Sequence, residues 1–331
     1  MTGPVALSCG EPAGVGPELA LAAWRALGAE LPFVLIGDPR HLPPDSPLAE
    51  IADLSEAAAA TRHGLPFLRH EFDGPMTPGT PNAAHAQGVI DVIARGVDLV
   101  RSGAARALCT APIHKKALQD GANFAYPGHT EYLAALAGVE RVVMMLASPA
   151  LRVVPATIHI PLADVPRTLT ADLLRDTLRI THAALIRDFA LPRPRIAVAG
   201  LNPHAGEGGT MGREEIDMIL PVIGQLRSEG LDLHGPMSAD TMFHARARES
   251  YDAAVCMYHD QALIPIKTLD FDRGVNVTLG LPFVRTSPDH GTAMDIAGRG
   301  LANPGSMIEA LKLAHTMGAA RARGAGGASP R

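Results

Sequence analysis

The sequence predicts an α/β protein, because short apolar runs alternate with longer amphipathic segments along the chain. The length of 331 residues corresponds to about two domains of roughly 150 residues each. Hydrophobic residues make up 47% of the chain and charged residues 19%, which is typical of a protein with a packed core and excludes a disordered chain.

The individual elements follow from the apolar pattern. Eight short runs are predicted to be strands: Val5–Ser8, Phe33–Ile36, Ala107–Thr110, Val142–Leu146, Leu151–Thr157, Ile196–Ala199, Ala253–Met257 and Val275–Leu279. Five amphipathic segments are predicted to be helices: Pro17–Leu27, Asn82–Arg101, Ala171–Asp188, Glu214–Ser228 and Ser306–Arg321. The segment Ser148-Pro149-Ala150 joins two apolar runs and predicts a tight antiparallel connection. The glycine-rich end from Arg323 onward is predicted to be frayed.

Charge and cysteine usage narrow the function class. A net charge of −5 argues against general electrostatic attraction to nucleic acid or to an anionic membrane. Three widely spaced cysteines, Cys9, Cys109 and Cys256, form neither a disulfide framework nor a zinc-thiolate pattern, and we expect buried thiols. The N-terminus lacks the features of a signal peptide, and prolines and Arg152 interrupt the longest apolar region. We therefore expect a soluble cytoplasmic protein.

Two polar loops precede predicted helices. The segment GEPAGVGPE begins at Gly10 and leads from a strand into a helix, where glycines let the backbone approach a ligand. It lacks the Lys-Ser/Thr of a Walker loop, and an ordinary turn is the alternative. In the second loop, PGHTE, His129 and Thr130 stand where a helix is expected to begin. Thr130 alone could serve as a helix cap, whereas His129 beside it favours a ligand contact.

Three histidines each follow an apolar strand. They are His159, His204 and His259. Ligands collect at the carboxyl ends of strands in open α/β sheets, so three imidazoles there could hold a divalent metal with an open position. A structural or surface role is the alternative for each histidine taken alone.

The last third of the chain carries further polar candidates. Lys267 is one of only four lysines and follows an apolar run, although a surface lysine is the alternative. Together with Asn276 and Arg285 it could form a receptor for an anion and polar groups. A final polar segment, HGTAMDIAG, begins at His290 and is followed by Asn303.

These segments resemble a known family. The motifs GEPAGVGPEL, APIHKKAL, GHTEYLA, LNPHAGEGGTMGREE, GPMSADTMF, MYHDQALIPIK, GVNVTLGLPFVRTSPDHGTA and DIAGRG run in order from Gly10 to Gly300. Together they resemble the 4-hydroxythreonine-4-phosphate dehydrogenases, NAD(P)-dependent enzymes of pyridoxal phosphate biosynthesis. The first motif and HGTAMDIAGRGLANP are also similar to segments of isocitrate and isopropylmalate dehydrogenases.

The resemblance implies a fold and an assembly. It implies two α/β/α domains of the isocitrate/isopropylmalate dehydrogenase type with the active site in a cleft between them. Residues 1–125 and 285–331 are expected to form the cofactor domain, and residues 126–284 the middle domain with the metal, the substrate site and the dimer interface. The implied assembly is a homodimer in which one metal site draws ligands from both subunits.

The resemblance also implies roles for single residues. The expected metal ligands are His159, His204 and His259. The expected substrate contacts are His129, Thr130, Lys267, Asn276 and Arg285. The expected cofactor contacts are Gly10, Glu11, Gly14, His290, Gly291, Thr292, Asp295 and Asn303. Asp240 and Asp260 are expected to orient a metal-bound imidazole or to relay a proton. Three imidazoles suit zinc or cobalt, with magnesium as an alternative, and no residue separates NAD from NADP.

The implied reaction oxidises 4-phosphooxy-L-threonine to 2-amino-3-oxo-4-phosphooxybutanoate. That β-keto acid then loses CO2 to give 3-amino-2-oxopropyl phosphate. A relative acting on a phosphorylated four-carbon sugar acid or a carboxylated cyclohexadiene diol is one alternative. Alternatives of another class are a zinc hydrolase or aldolase and a non-catalytic binding protein.

Overall fold

The computed structural model describes residues 3–326, which form two compact units. Residues 3–141 and 281–326 make up the first unit, and residues 142–280 make up the second. The sequence-based boundaries lay at residues 126 and 284. Of the glycine-rich end, residues up to 326 belong to a helix, and residues 327–331 lie outside the described part. Among residues 3–326, no helix combines the length and hydropathy needed to cross a membrane.

Strands and helices alternate in both units. The elements up to residue 141 are β1 Val5–Ser8, α1 Gly16–Leu27, β2 Phe33–Gly37, β3 Leu48–Glu50, α2 Ala57–Ala60, β4 Leu65–Arg69, α3 Ala86–Arg101, β5 Ala107–Thr110, α4 Lys115–Ala122 and α5 His129–Ala137. The elements of the second unit are β6 Val143–Ala147, β7 Arg152–Pro155, α6 Val165–Thr168, α7 Ala171–Arg187, β8 Arg195–Ala199, α8 Leu220–Ser228, β9 Asp232–Met237, α9 Ala245–Arg248, β10 Ala253–Cys256, α10 His259–Leu269 and β11 Val275–Leu279. The chain returns to the first unit with β12 Arg285–Pro288 and α11 Gly305–Gly326. The α/β prediction is confirmed.

The first unit is built on parallel strands in the order β3-β4-β2-β1-β5-β12. Every residue of β1 and β5 is buried, as expected for strands covered on both faces. Because all these strands run the same way, the loops after β1, β5 and β12 open at one edge of the sheet. That edge carries the glycine-rich loop, the start of α4 and the segment from His290.

The second unit orders its strands β11-β6-β7-β10-β8-β9. The predicted tight connection between β6 and β7 is confirmed, since these strands are antiparallel and Ser148 exchanges backbone hydrogen bonds with Leu151. Strands β7, β10, β8 and β9 are parallel, so the carboxyl ends of β7, β8 and β10 share one edge. A core that includes Leu146, Val153 and Ile266 lies beneath it.

Four strands and several helices escaped the sequence analysis. The missed strands are β3, β4, β9 and β12. Strand β12 has the sequence RTSP, which carries no apolar run, yet all four residues are buried. Helix α10 contains Pro265, which interrupts a helical pattern in the sequence. The predicted helix from Glu214 starts as a π-helical turn over Glu215–Ile219 before it becomes α8. The three cysteines are buried free thiols, as predicted.

Candidate functional site

Arg285 lies at the centre of a cationic cluster in the first unit. Its side chain is only 3% exposed, and its Nη2 and Nε donate to the Thr110 hydroxyl at 2.6 Å and 3.1 Å. Burial lowers the pKa of Arg285 to about 10, so the guanidinium stays charged at neutral pH. Strand β12 pairs with β5 through Arg285 and Leu108, which explains why arginine and threonine meet.

His129 belongs to the same cluster as the first residue of α5. Burial, together with the positive charges of Arg285 and Lys115, lowers the pKa of His129 well below its usual range. The imidazole is therefore neutral at physiological pH. Its Nε2 is shielded from solvent and has no hydrogen-bond partner among residues 3–326. A buried nitrogen in that state is available to a bound ligand.

Lys115 completes this cluster, and the sequence analysis did not single it out. A Cβ atom at Gly128 would lie 3.4 Å from Lys115 Nζ, which places the ammonium beside the start of α5. Within the described chain Lys115 makes no ion pair, whereas its neighbour Lys116 pairs with Asp120 at 2.8 Å. A lysine just past the carboxyl end of β5 was the signal that could have identified it.

The cluster of Lys115, His129 and Arg285 is suited to an anion. No side chain caps α5, so the first N–H groups of that helix add to the positive field. Thr130 is half-buried in the same first turn. The expected middle domain included His129 and Thr130, but both lie in the first unit. Helix α5 packs there against α3, with Arg101 donating to the Leu136 carbonyl oxygen.

The two predicted cofactor segments meet in the first unit. The backbone N–H of Val15 donates to the Thr292 carbonyl oxygen at 3.0 Å, and a Cβ atom at Gly14 would lie 2.8 Å from that oxygen. Gly10 has φ +70°, a conformation that favours glycine. A pocket of about 310 Å³ opens beside these loops, lined in part by Gly14 and Gly298.

The remaining cofactor candidates lie near these loops or cap the last helix. Glu11 is 2% exposed, and burial raises the pKa of its carboxyl group even though it accepts a hydrogen bond from the Ala13 N–H. Asn303 Oδ1 accepts from the Gly305 N–H and so caps α11. Of the other candidates, His290 is half-buried, and Gly291 and Asp295 are exposed.

The second unit brings two of the predicted metal ligands together. The ring centroids of His159 and His259 lie 5.6 Å apart, and both side chains line a pocket of about 240 Å³. Asp260 Oδ1 lies 2.7 Å from His259 Nδ1, which leaves His259 Nε2 for another partner. Asp240 instead accepts from the Ser238 hydroxyl at 2.6 Å.

His204 is exposed on a turn with an unusual backbone. The five residues His204–Gly208 all have positive φ, between +42° and +82°. They form one left-handed turn after β8. In residues 3–326 no group of three or more His, Cys, Asp or Glu side chains has metal-binding geometry, so the three-histidine site stays a prediction.

Lys267 and Asn276 lie in the second unit on different elements. Lys267 stands in the last turn of α10, with Nζ 5.6 Å from the centroid of the exposed Phe271 ring. Asn276 is half-buried in β11 and pairs with Leu146 of β6.

The sequence matches the family model described as pyridoxal phosphate biosynthetic protein PdxA over residues 30–314. Two curated relatives named 4-hydroxythreonine-4-phosphate dehydrogenase are similar along almost their whole length. The one from Roseobacter denitrificans is 67% identical, covering 96% of this chain and 98% of the relative. The one from Ruegeria sp. is 64% identical, covering 96% of this chain and 97% of the relative.

A solved structure gives the same picture. The crystal structure of 4-hydroxythreonine-4-phosphate dehydrogenase from Klebsiella pneumoniae superposes with a TM-score of 0.88 at 36% identity. The superposition covers 96% of this chain and 100% of that one.

Proposed function

This chain belongs to the pyridoxal phosphate biosynthetic protein PdxA family, and on that premise we propose that it oxidises 4-phosphooxy-L-threonine with a nicotinamide cofactor. It is an oxidoreductase, like the relatives that share its sequence. The substrate loses a hydride from its C3 carbinol carbon, and the β-keto acid that results loses CO2 to give 3-amino-2-oxopropyl phosphate. The observation that carries the proposal is the cationic cluster around α5.

The phosphate of this substrate fits the cluster of Lys115, His129 and Arg285. A phosphate dianion gains most from several fixed donors, and Arg285 is already held in place by Thr110. Neutral His129 can donate one further hydrogen bond, and Thr130 can donate from its hydroxyl. We assign the phosphate to this cluster. Lys267 is left for another polar group of the substrate, such as its carboxylate, and Asn276 for a hydrogen bond.

The family implies a divalent metal, and the donor chemistry of the histidines of the second unit suits one. His159 and His259 already lie side by side, and Asp260 holds His259 by Nδ1. We propose that these two and His204 are the ligands, from one subunit or from two. Neutral imidazoles favour zinc or cobalt over magnesium, which prefers oxygen. A bound divalent metal supplies a Lewis acid for the substrate hydroxyl.

Asp260 is proposed to act through His259. A carboxylate hydrogen-bonded to Nδ1 fixes the imidazole tautomer and the ring orientation. It also makes Nε2 more basic and therefore a better metal ligand. Asp240, which contacts Ser238, is kept as a candidate to accept the hydroxyl proton.

The nicotinamide cofactor, NAD or NADP, is proposed to bind along the loops that meet at Gly14 and Thr292. The cofactor supplies the hydride acceptor. Glycines there let the backbone approach a ligand, and Gly10 and Glu11 shape the first turn of the loop. His290, Gly291, Asp295 and Asn303 complete the proposed contacts.

A homodimer is proposed from exposed apolar side chains of the second unit. Phe271 is 72% exposed, Leu162 67% and Ile264 63%, and a second copy that buries these side chains would gain hydrophobic stabilisation. Covering them with a second copy would also allow ligands from two subunits to share one metal. Sedimentation velocity tests this part directly, and a monomer at micromolar concentration would contradict it.

An absorbance assay at 340 nm tests the activity. Chelator-treated protein is given 4-phosphooxy-L-threonine, NAD+ or NADP+, and Zn²⁺, Co²⁺ or Mg²⁺. We expect reduced cofactor to form only when metal is restored. No signal under any combination would contradict the proposal, whereas turnover of 4-hydroxy-L-threonine, which lacks the phosphate, at the same KM would contradict the role of the cationic cluster.

A further inference from the structure

The three histidine-bearing segments of the second unit are tied together by side chains that are not histidines. We propose that Thr157, Gln261 and Glu215 are positioning residues that hold the segments bearing the three histidines in place for metal binding. This inference rests on the proposed function, since it takes the three histidines as ligands. A chain of hydrogen bonds runs through these side chains from the end of β7 to the end of β10 and on to the end of β8.

Thr157 links the segment of His159 to the segment of His259. Its hydroxyl donates to the Met257 carbonyl oxygen at 2.7 Å, and its backbone N–H donates to the same oxygen at 3.2 Å. Thr157 is 4% exposed, so water does not compete strongly for these bonds. Thr157 and Met257 each lie two residues before a histidine, and their double contact therefore holds the two imidazoles in register.

Gln261 links the segment of His259 to the segment of His204. Its Oε1 accepts from the Met257 N–H at 2.7 Å, and its Nε2 donates to the Gly200 carbonyl oxygen at 2.7 Å. The Gln261 side chain is a primary amide, so its nitrogen can donate one hydrogen bond while its oxygen accepts another. The amide thus bridges the ends of β10 and β8.

Glu215 anchors the segment of His204. Its carboxylate is 1% exposed and accepts from the backbone N–H groups of Leu201 and Asn202, each at 2.7 Å. It also accepts from Asn202 Nδ2 at 2.9 Å. The turn packs directly on the carboxylate, since a Cβ atom at Gly206 would lie 2.7 Å from Glu215 Oε2.

The left-handed turn explains why this support is needed. Three of its five residues carry side chains and are disfavoured at positive φ: His204, Ala205 and Glu207. Such a backbone persists only when surrounding contacts over-determine it. The bonds from Glu215 hold the residues that lead into the turn, and the Gln261 amide holds Gly200 before them. Together they aim the imidazole of His204 before a metal binds.

Affinity for Co²⁺ tests the inference without relying on turnover. Chelator-treated full-length protein is titrated with Co²⁺ by calorimetry, and the ligand-field absorption spectrum is recorded. We expect Gln261→Met, Glu215→Gln and Thr157→Val each to weaken Co²⁺ binding about 10- to 100-fold and to change the spectrum, as loss of support behind a ligand does. Thr157→Ser keeps the hydroxyl and should restore wild-type affinity.

Matched controls carry the same substitutions on α7 and α8, outside the three histidine segments. Thr177 is a buried threonine whose hydroxyl donates to the Leu173 carbonyl oxygen at 2.8 Å within α7. Gln225 on α8 is an exposed glutamine that bonds Glu229. Thr177→Val and Gln225→Met should leave both the Co²⁺ affinity and the spectrum unchanged.

The Co²⁺ titrations distinguish a wrong positioning role from a wrong metal site. Folded Thr157→Val and Gln261→Met that bind Co²⁺ with wild-type affinity and spectrum would overturn the positioning role and leave the metal site itself intact. A wild-type protein that binds no Co²⁺ would overturn the proposed metal site instead. If Gln261→Met or Glu215→Gln fails to unfold cooperatively in denaturant, the Thr157→Val and Thr157→Ser pair alone decides.

Discussion

The candidate histidines of the two units differ in exposure and charge environment. His129 begins helix α5, whereas His159, His204 and His259 follow strands β7, β8 and β10. His129 in the first unit is shielded, neutral and close to Arg285 and Lys115. His159 and His204 in the second unit are exposed on a backbone with positive φ. Burial among cations suits an imidazole that helps to bind an anion. Exposure on a supported turn suits one that exchanges water for a metal. The comparison predicts that substitutions in the cluster of Lys115, His129 and Arg285 change substrate affinity, and that substitutions of the histidines of the second unit change metal affinity.

The largest effect is expected from His204→Ala. Loss of a metal ligand should lower Co²⁺ affinity by at least about a hundredfold, more than the loss of a group behind a ligand, and turnover should fall with it. Calorimetric titration and the 340 nm assay measure both. His63→Ala, which removes an exposed histidine of the first unit, is the control. Equal losses in the two variants would remove His204 from the metal site.

The second-largest effect is expected from Arg285→Gln. Removing a buried, hydrogen-bonded guanidinium should raise the substrate KM by roughly 30-fold or more, because a charged group facing the phosphate costs about 2 kcal/mol or more to lose. Co²⁺ affinity should not change. Steady-state kinetics and the Co²⁺ titration together test this, and a weaker metal site with an unchanged KM would reverse the assignment.

Lys115→Met should raise the substrate KM by a smaller factor than Arg285→Gln. We expect the substrate KM to rise about tenfold, since a hydrogen bond from the exposed Lys115 ammonium to a phosphate is worth about 1.4 kcal/mol. Lys116→Met is a matched control one residue away, where the ammonium is already paired with Asp120. Initial rates with varied substrate separate the two, and similar KM values for both variants would contradict a role for Lys115.

The smallest effect is expected on the pH dependence of stability, and it comes from His41, a buried histidine of the first unit. Burial lowers the pKa of His41 from 6.5 to about 4, with Asp38 opposing this shift and His85 and Arg40 adding to it. The folded state therefore binds fewer protons than the unfolded state between these values, and stability must fall as pH falls. We expect His41 to contribute a loss of about 1 kcal/mol in the free energy of unfolding between pH 6.5 and 5.5. Urea denaturation of wild type and His41→Phe measures it, and identical pH slopes would contradict it.

The apolar pattern was enough to predict most of the sheet and the long helices. It missed β12, the RTSP strand that carries Arg285, because this strand is buried without an apolar run. It also missed the apolar strand β4, in which Pro66 interrupts the pattern. The candidate histidines could be predicted because strand ends collect ligands. The residues that support each histidine segment could not be predicted, because contacts such as that of Gln261 with Gly200 join residues 61 positions apart. Lys115 was missed because the sequence does not show that its ammonium group lies beside the start of α5, next to His129.

The first unit is assembled from both ends of the chain, and this fixes an order of events during synthesis. Strand β12 completes the sheet by pairing with β5, and α11 packs against β5, β12 and α1. The second unit, by contrast, is made of residues 142–280 alone. On the ribosome, the histidine segments and their hydrogen-bonded supports can therefore fold while Arg285 is still unmade. The anion cluster is finished last, so a chain truncated before Arg285 keeps the three histidine segments and lacks the guanidinium proposed to hold the substrate phosphate.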